Sequence, residues 1–487
     1  MIRKYLLVGA SAFVLGAGSM AFVGASAFAQ GGSTRDTFRM LELFGNVLAT
    51  VETNYVAPVD DKKLIEAAID GMLTSLDPHS GYLNADDFKE MREQTRGEYG
   101  GLGLEVTAEE GVVKVITAMD DTPAFKAGIQ PGDFITAING ETVLGLGLDE
   151  AVKQMRGEPG QPITLTIARP KKDPFDVKLV RQIISVKSVR ARMEGDYGVL
   201  RISVINENTG KETADALRDL QAKNPKMRGL VLDLRNNPGG LLDQAVATTD
   251  VFLDGGEVVS ERGRSARDVD RFNAEPGDLA QGMPIAVLVN AGSASAAEII
   301  AGALQDRKRA VIIGTTTFGK GSVQSVIPLP GGQNGALKLT TGRYYTPSGR
   351  SIQKTGIEPD LEVARSAEEA ELIKSKSFQF SEASFRNALN ASEGKTRRSA
   401  HEVFEAPPKD FAKDGDYQLV RAIAVLKAGS VQQLHASEKK PTQVAAAGPA
   451  RPAPSSVKTG VVPPKAVSPT PSKDLSPPDK VEKKPPQ

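Results

Sequence analysis

Gly292-Ser-Ala-Ser-Ala-Ala-Glu298 decides how this chain is read. It stands between an apolar run, Ile285 to Val289, and a helix-like run, Ala296 to Leu304. A short apolar run, a small-residue turn and a helical pattern predict a strand-turn-helix unit. A serine at such a turn sits at a helix N-terminus, where the backbone dipole favours a developing negative charge. Ser293 and Ser295 are both candidates, because the hydroxyl residues alternate. A serine nucleophile needs a base. The chain has three histidines, and all of them, His79, His401 and His435, lie far from this turn in sequence. A lysine is the natural substitute, and Phe318-Gly-Lys-Gly321 offers Lys320 between glycines. Its amine must fall from about 10.4 towards about 7 to 8 to act as a base, which apolar burial can achieve.

Outward from this turn, strands and helices alternate between Tyr197 and Pro359, which predicts an α/β layer around a central sheet. Asp233-Leu-Arg-Asn-Asn-Pro-Gly-Gly240 ends one buried-type strand, Gly229 to Leu234. Its glycines would let backbone N–H groups approach a reacting carbonyl. The expected oxyanion donors are the N–H groups of Ala296 and Gly240, with Gly239 as the adjacent alternative.

Upstream, Gly97 to Ile184 changes to short strands separated by Pro131-Gly-Asp133 and Asn139-Gly140, with a helix at Asp149 to Arg156. Further upstream, Phe38, Leu41, Phe44, Leu48 and Val51 recur at helical spacing, and Asp60 could cap a second helix. Residues 365 to 430 read as helical, most clearly Tyr417 to Leu426. After Ser437 the chain holds 12 of its 30 prolines and no aromatic residue, a composition that predicts disorder. At the other end, Arg3 and Lys4 precede an apolar stretch, and Ala27-Phe-Ala29 fits a signal-peptide cleavage site. Cleavage after Ala29 would release a chain starting at Gln30; an uncleaved anchor is the alternative.

Composition narrows the chemistry. Lys plus Arg and Asp plus Glu are both 60, so the balanced charge argues against nucleic-acid binding. With no cysteine, thiolate metal sites, a cysteine nucleophile and a lipoprotein anchor are excluded. Gly314-Thr-Thr-Thr-Phe-Gly-Lys320 nearly spells a phosphate-binding loop, but Gly321 replaces the magnesium-binding hydroxyl and a strand-like run follows. Nucleotide binding is therefore not expected, nor is a metal or other cofactor.

Four segments, Gly100-Gly-Leu-Gly103, Asp233 to Gly240, Gly292 to Glu298 and Phe318-Gly-Lys-Gly-Ser-Val-Gln324, together with Leu76-Asp-Pro-His-Ser80, resemble the carboxy-terminal processing, or tail-specific, serine proteases in their order. The resemblance implies α/β and α+β multidomain architecture: a discontinuous α/β protease core with an inserted PDZ-like β-rich domain, N-terminal helices, a helical C-terminal region and a disordered tail. The implied division is 1–29 signal peptide, 30–96 helical segment, 97–185 PDZ domain, 186–362 protease core, 363–436 helical region and 437–487 tail. It also implies that Ser295 is the nucleophile, Lys320 the base and Gln324 the group that hydrogen-bonds the lysine. Ala297 stands where the family often carries a further serine. Gly100 to Gly103 would be the PDZ carboxylate-binding loop, and Gly101, Leu102, Gly103, Leu104, Val152 and Met155 the peptide-binding residues. The expected function is a periplasmic endopeptidase that engages apolar C-termini of proteins. It would act as a homo-oligomer, with an adaptor lipoprotein as a further partner. The alternative is a catalytically silent or adaptor-dependent PDZ scaffold of the cell envelope.

Overall fold

The structure is a computed structural model that describes residues 31–109, 111–265, 267–330, 334–374, 381–391, 404–412 and 415–438. The expected signal peptide, His401 and nearly all of the expected tail lie outside the described residues.

A six-stranded sheet forms the centre, in the order Val189–Glu194, Tyr197–Ile202, Gly229–Asp233, Ile285–Val289, Ala310–Gly314, Leu361–Glu362. The first pair is antiparallel and every later pair is parallel. Parallel strands covered on both faces read as unbroken apolar runs, and all five residues of both Gly229–Asp233 and Ile285–Val289 are buried. Leu230 and Leu232 pack towards Leu217, Ala245 and Ile300 of three helices, Thr209–Lys223, Leu242–Asp250 and Ala296–Asp306. Val231, which points the other way along the pleat, packs with Leu419, Ala422 and Val425 of the Tyr417–Ala428 helix. The Tyr417 helix therefore closes the second face of the sheet.

A second, five-stranded sheet was not legible as a unit in the sequence. It joins Gly81–Leu83, Ala336–Tyr345, Gly256–Arg262, Val269–Ala274 and Ser322–Pro328, with every pairing antiparallel. Gly81–Leu83 precedes the β-rich segment, whereas its partner Ala336–Tyr345 follows that segment and lies more than two hundred residues beyond Gly81–Leu83. The core is thus discontinuous in sequence.

The β-rich segment forms its own sheet, Leu104–Glu109, Val112–Ala118, Phe134–Ile138, Pro162–Ala168 and Phe175–Val180, with a short Glu141–Thr142 strand on Phe134–Ile138. It has a separate core, including Val115, Ile135, Leu165 and Ile167. Leu104–Glu109 is an edge strand, flanked by the Leu148–Met155 helix.

The first helix, Gly31–Asn54, is followed by Asp61–Thr74, whose N-cap Asp60 accepts from the Lys63 N–H. Of the periodic apolar residues of the first helix, Leu48 and Val51 are half-buried, whereas Phe38, Leu41 and Phe44 are exposed. Phe38 is 67% exposed and Leu41 59%. A third helix, Ala85–Arg96, was not foreseen; its apolar residues are too sparse to set a period. Among the described residues no helix is long and apolar enough to cross a membrane. The described residues of the 365–430 region are only partly helical. Ala367–Lys374 and Tyr417–Ala428 are helices, whereas 385–391 and 404–412 are largely extended or turn.

Candidate active site

Three turns at the carboxyl ends of three adjacent parallel strands meet. In open α/β sheets this edge is where ligands bind. Gly239 and Gly240 follow Gly229–Asp233, Ser295 follows Ile285–Val289, and Lys320 follows Ala310–Gly314.

Ser295 is the N-cap of the Ala296–Asp306 helix and holds φ 54°, ψ −117°. A non-glycine residue at positive φ outside the left-handed helical region is strained, and such strain persists only when its surroundings over-determine it. A strained strand-to-helix turn is also how hydrolases lift a nucleophilic serine clear of the backbone. The neighbours here supply the restraint. The Ala294 N–H donates to Asn237 O at 2.9 Å, the Phe318 N–H donates to Ser293 O at 3.0 Å, and the Ser295 N–H donates to Glu298 Oε2 at 2.8 Å. Ser293, the competing hydroxyl, is fully buried: it donates to Leu234 O at 2.8 Å and accepts from the Asn290 N–H at 3.0 Å. Its hydroxyl is committed to the fold.

Glu298 ends the Gly292–Glu298 stretch. Its sequence signal is the Ser-x-x-Glu capping box. The carboxylate is fully buried and accepts from the Ser295, Gly319 and Lys320 N–H groups at 2.8, 2.8 and 2.9 Å and from Thr317 Oγ1 at 2.5 Å. Burial pushes its carboxyl up to about 7, against those four hydrogen bonds, which favour the charged form. Its Oε2 accepts from both Ser295 and Lys320, so a single oxygen ties the two turns together.

The Lys320 amine donates to Gln324 Oε1 at 2.5 Å. Burial pulls its pKa down to about 8, helped by the like charge of Lys338 and opposed by Glu382, Glu298 and Asp77. Among the described residues no hydrogen bond joins Ser295 Oγ to the Lys320 amine. Gln324 Nε2 donates to Ser322 Oγ at 2.9 Å and to Thr340 Oγ1 at 3.2 Å. The Asp77-Pro-His-Ser80 turn stands behind Thr340: Thr340 Oγ1 donates to Asp77 Oδ1 at 3.0 Å. His79 pairs with Glu382 at 2.8 Å, and His435 with Glu405 at 3.0 Å.

The turn glycines divide by hydrogen bonding. The Gly239 N–H donates to Asn237 Oδ1 at 2.9 Å. The N–H groups of Gly240 and Ala296 make no hydrogen bond among the described residues, and Ala296, first in its helix, has no intrahelical acceptor. A Cβ on Gly239 would lie 2.9 Å from the Ala296 nitrogen, which places this turn against the serine turn.

In the β-rich domain the predicted residues gather. Gly101, Leu102, Gly103, Leu104, Val152 and Met155 all line one cavity of about 80 Å³, with Tyr99, Val106 and Arg156. Leu102 and Met155 are also part of that domain's core, whereas Leu104 and Val152 are only partly buried. Among the described residues, the N–H groups of Leu102 and Gly103 make no backbone hydrogen bond.

Comparison with known proteins gives the geometry its family. The model of peptidase family S41 matches residues 196–363, a PDZ domain matches 115–169, and the activating protease CtpB N-terminal domain matches 19–87. The chain is 49% identical over 426 residues to a carboxy-terminal-processing protease of Bartonella bacilliformis, covering 86% of this chain and 96% of the relative. It is 38% identical over 336 residues to a "Probable CtpA-like serine protease" of Staphylococcus haemolyticus, covering 68% of this chain and 66% of that one. A solved structure of a photosystem II D1 C-terminal processing protease aligns at 30% identity and TM-score 0.39, covering 66% of this chain and 92% of that one. With the first of these relatives matched over nearly its whole length, the chain belongs to the carboxy-terminal-processing proteases, serine-type peptidases of family S41 that carry a PDZ domain.

Proposed function

We propose that this chain is an exported endopeptidase of the bacterial periplasm that binds apolar C-termini through its PDZ domain and cuts by a serine–lysine mechanism. The observation that carries the mechanism is the pairing of a strained Ser295 with a lysine whose amine is desolvated and held by a neutral amide. A neutral partner orients the amine without adding the charge that would raise its pKa.

Ser295 Oγ attacks the scissile carbonyl carbon as its proton passes to neutral Lys320. The N–H groups of Ala296 and Gly240 donate to the oxyanion, in keeping with their having no other hydrogen bond among the described residues. Lys320 then returns the proton to the leaving amine, and the C–N bond breaks to give an acyl-enzyme. Water attacks that ester, Lys320 takes its proton and passes it to Ser295 Oγ, and the acid product leaves. For the proton transfers, Ser295 Oγ and the lysine amine must come within hydrogen-bond reach.

Substrate would enter as an extra strand on the free Leu104–Glu109 edge, its carboxylate on the Leu102 and Gly103 N–H groups. The last side chain would enter the cavity lined by Leu102, Leu104, Val152 and Met155. The exposed Phe38, Leu41 and Phe44 stripe supports a homo-oligomer built through the first helix. The basic start, apolar stretch and Ala27-Phe-Ala29 support export with cleavage after Ala29.

The test is cleavage of an unstructured protein with an apolar C-terminus, beside a copy with a charged C-terminus, by wild type, Ser295→Ala and Lys320→Ala. Both variants are expected to fold and to lose all detectable cleavage, and the charged tail to slow the wild type. Full cleavage by a folded Ser295→Ala would sink the nucleophile assignment; equal rates on both tails would sink the recognition assignment.

A further inference from the structure

Gln324 can present either face of its amide to Lys320, and the two faces do opposite things. The oxygen accepts from the amine and leaves the nitrogen lone pair free. The NH₂ group would donate to that lone pair, which is the one a base must use. Something must choose, and the choice can be traced through hydrogen-bond direction. Asp77 is a buried carboxylate, an acceptor only when ionised. Three donors keep it charged: Ser80 Oγ on Oδ2 at 2.8 Å, and the His79 and Ser80 N–H groups on Oδ1 at 2.9 and 3.0 Å. Its fourth donor is Thr340 Oγ1, at 3.0 Å. The Thr340 hydroxyl hydrogen is thereby committed, so towards Gln324 this hydroxyl can only accept. The group facing it must be the Gln324 NH₂, at 3.2 Å, which turns the amide oxygen to Lys320. Ser322 cannot make this choice, because its hydroxyl has no other partner among the described residues and can serve as donor or acceptor.

The backbone is built for the contact. A register shift falls between Val323 and Gln324, so Gly342 opposes Val323 but Thr340 opposes Gln324. A β-bulge re-aims a side chain, and here it sets Gln324 directly across from Thr340. The Gly81–Leu83 strand adds to the far side of Ala336–Tyr345, and the Thr340 N–H donates to Ser80 Oγ at 3.1 Å. A turn more than two hundred residues upstream is thus fixed one hydroxyl away from the lysine's partner.

We propose that Asp77 and Thr340 are positioning residues for hydrolysis, holding the Gln324 amide so that its oxygen alone faces Lys320. This rests on Lys320 being the base. Other charges near the amine are Lys338, Glu382 and Glu298, none of which touches the Gln324 amide.

The experiment measures kcat and KM against pH on a peptide with an apolar C-terminus, for the wild-type chain, Thr340→Val, Thr340→Ala and Thr340→Ser. Valine keeps the shape and the strand preference but not the hydroxyl. Thr340→Val is expected to lose about 10- to 100-fold in kcat, the scale of a misplaced catalytic group, with KM unchanged. Its acidic limb should move to lower pH, because an amide that donates to the neutral amine favours the uncharged form. Thr340→Ser should stay within about twofold of wild type, since the hydroxyl is retained. Thr340→Ala decides the matter if the valine variant does not fold. Wild-type kcat and pH profile in the folded variant without a hydroxyl would overturn the proposal, as would equal damage from Thr340→Ser. Ser295→Ala, run alongside, separates the two readings: activity surviving there removes the mechanism itself, whereas its loss beside an unimpaired Thr340→Val removes the relay alone.

Discussion

Lys320 carries the sharpest consequence at the scale of a residue. Its amine is lowered to about 8, first by burial and then by Lys338. The base form is the neutral one, so kcat is expected to rise with pH through about 8. Below that it should fall about tenfold per unit, as the protonated fraction takes over. A pH profile flat from 6 to about 9 would remove Lys320 as the base. Stability has a related sign. The folded amine loses its proton near 8 and the unfolded one near about 10.4, so the unfolded chain holds more protons between those values and stability rises with pH there. Ser295 and Lys320 were legible in the sequence because a small-residue turn and a glycine-flanked lysine are local patterns. Thr340 and Asp77 were not, because only a bulge and a distant strand pairing bring them to Gln324.

Among the elements, the turn after Gly229–Asp233 is tightly held. Gly240 has φ 149°, and a Cβ there would lie 1.7 Å from Ile205 O. The same carbonyl accepts from the Leu241 N–H at 3.0 Å, and Ile205 N–H donates to Gly239 O at 3.0 Å. A side chain would therefore push the turn away from Ile205 and carry the Gly240 N–H with it. Gly240→Ala is expected to lower kcat by about 10²- to 10³-fold, the cost of one oxyanion donor, with peptide binding by the PDZ domain unchanged. Hydrolysis within a few-fold of wild type would instead return the donor role to another group. The parallel strands were readable as apolar runs because both faces are covered. Gly256–Arg262 and Val269–Ala274 were not, because only Val258, Val259 and Ser260 of the first and Ala274 of the second are buried, which leaves neither a continuous apolar run nor a period of two in this antiparallel pair.

At the level of the molecule, the core is closed by pieces remote in sequence. Arg235, at the end of the Gly229–Asp233 strand, pairs with Asp233 at 2.8 Å and with Asp416 at 2.7 Å. Asp416 caps the Tyr417–Ala428 helix by accepting from the Leu419 N–H at 3.1 Å. One guanidinium thus fastens the C-terminal helix to the strand that leads into the Gly239–Gly240 turn. Arg235→Ala would leave Asp233 with Arg201 alone, at 3.1 Å, and free the helix; the expected loss is about 1.5 to 3 kcal/mol, the scale of a hydrogen bond to a charged group, read as a lower midpoint in urea. A midpoint unchanged by the substitution would show that apolar packing of Leu419, Ala422 and Val425 holds the helix alone.

By itself the sequence determined the ordered motifs, the buried strands, the serine turn and the apolar stripe of the first helix, because each is written in neighbouring residues or in a fixed period. The tertiary structure alone decided which distant groups share the site. Whether a carboxylate at Glu298 joins the serine and lysine turns, whether Asp77 stands behind Gln324, and which turn glycine keeps a free N–H all depend on strand pairing and on the direction of hydrogen bonds across it. Those are properties of contacts between segments, which no local pattern encodes.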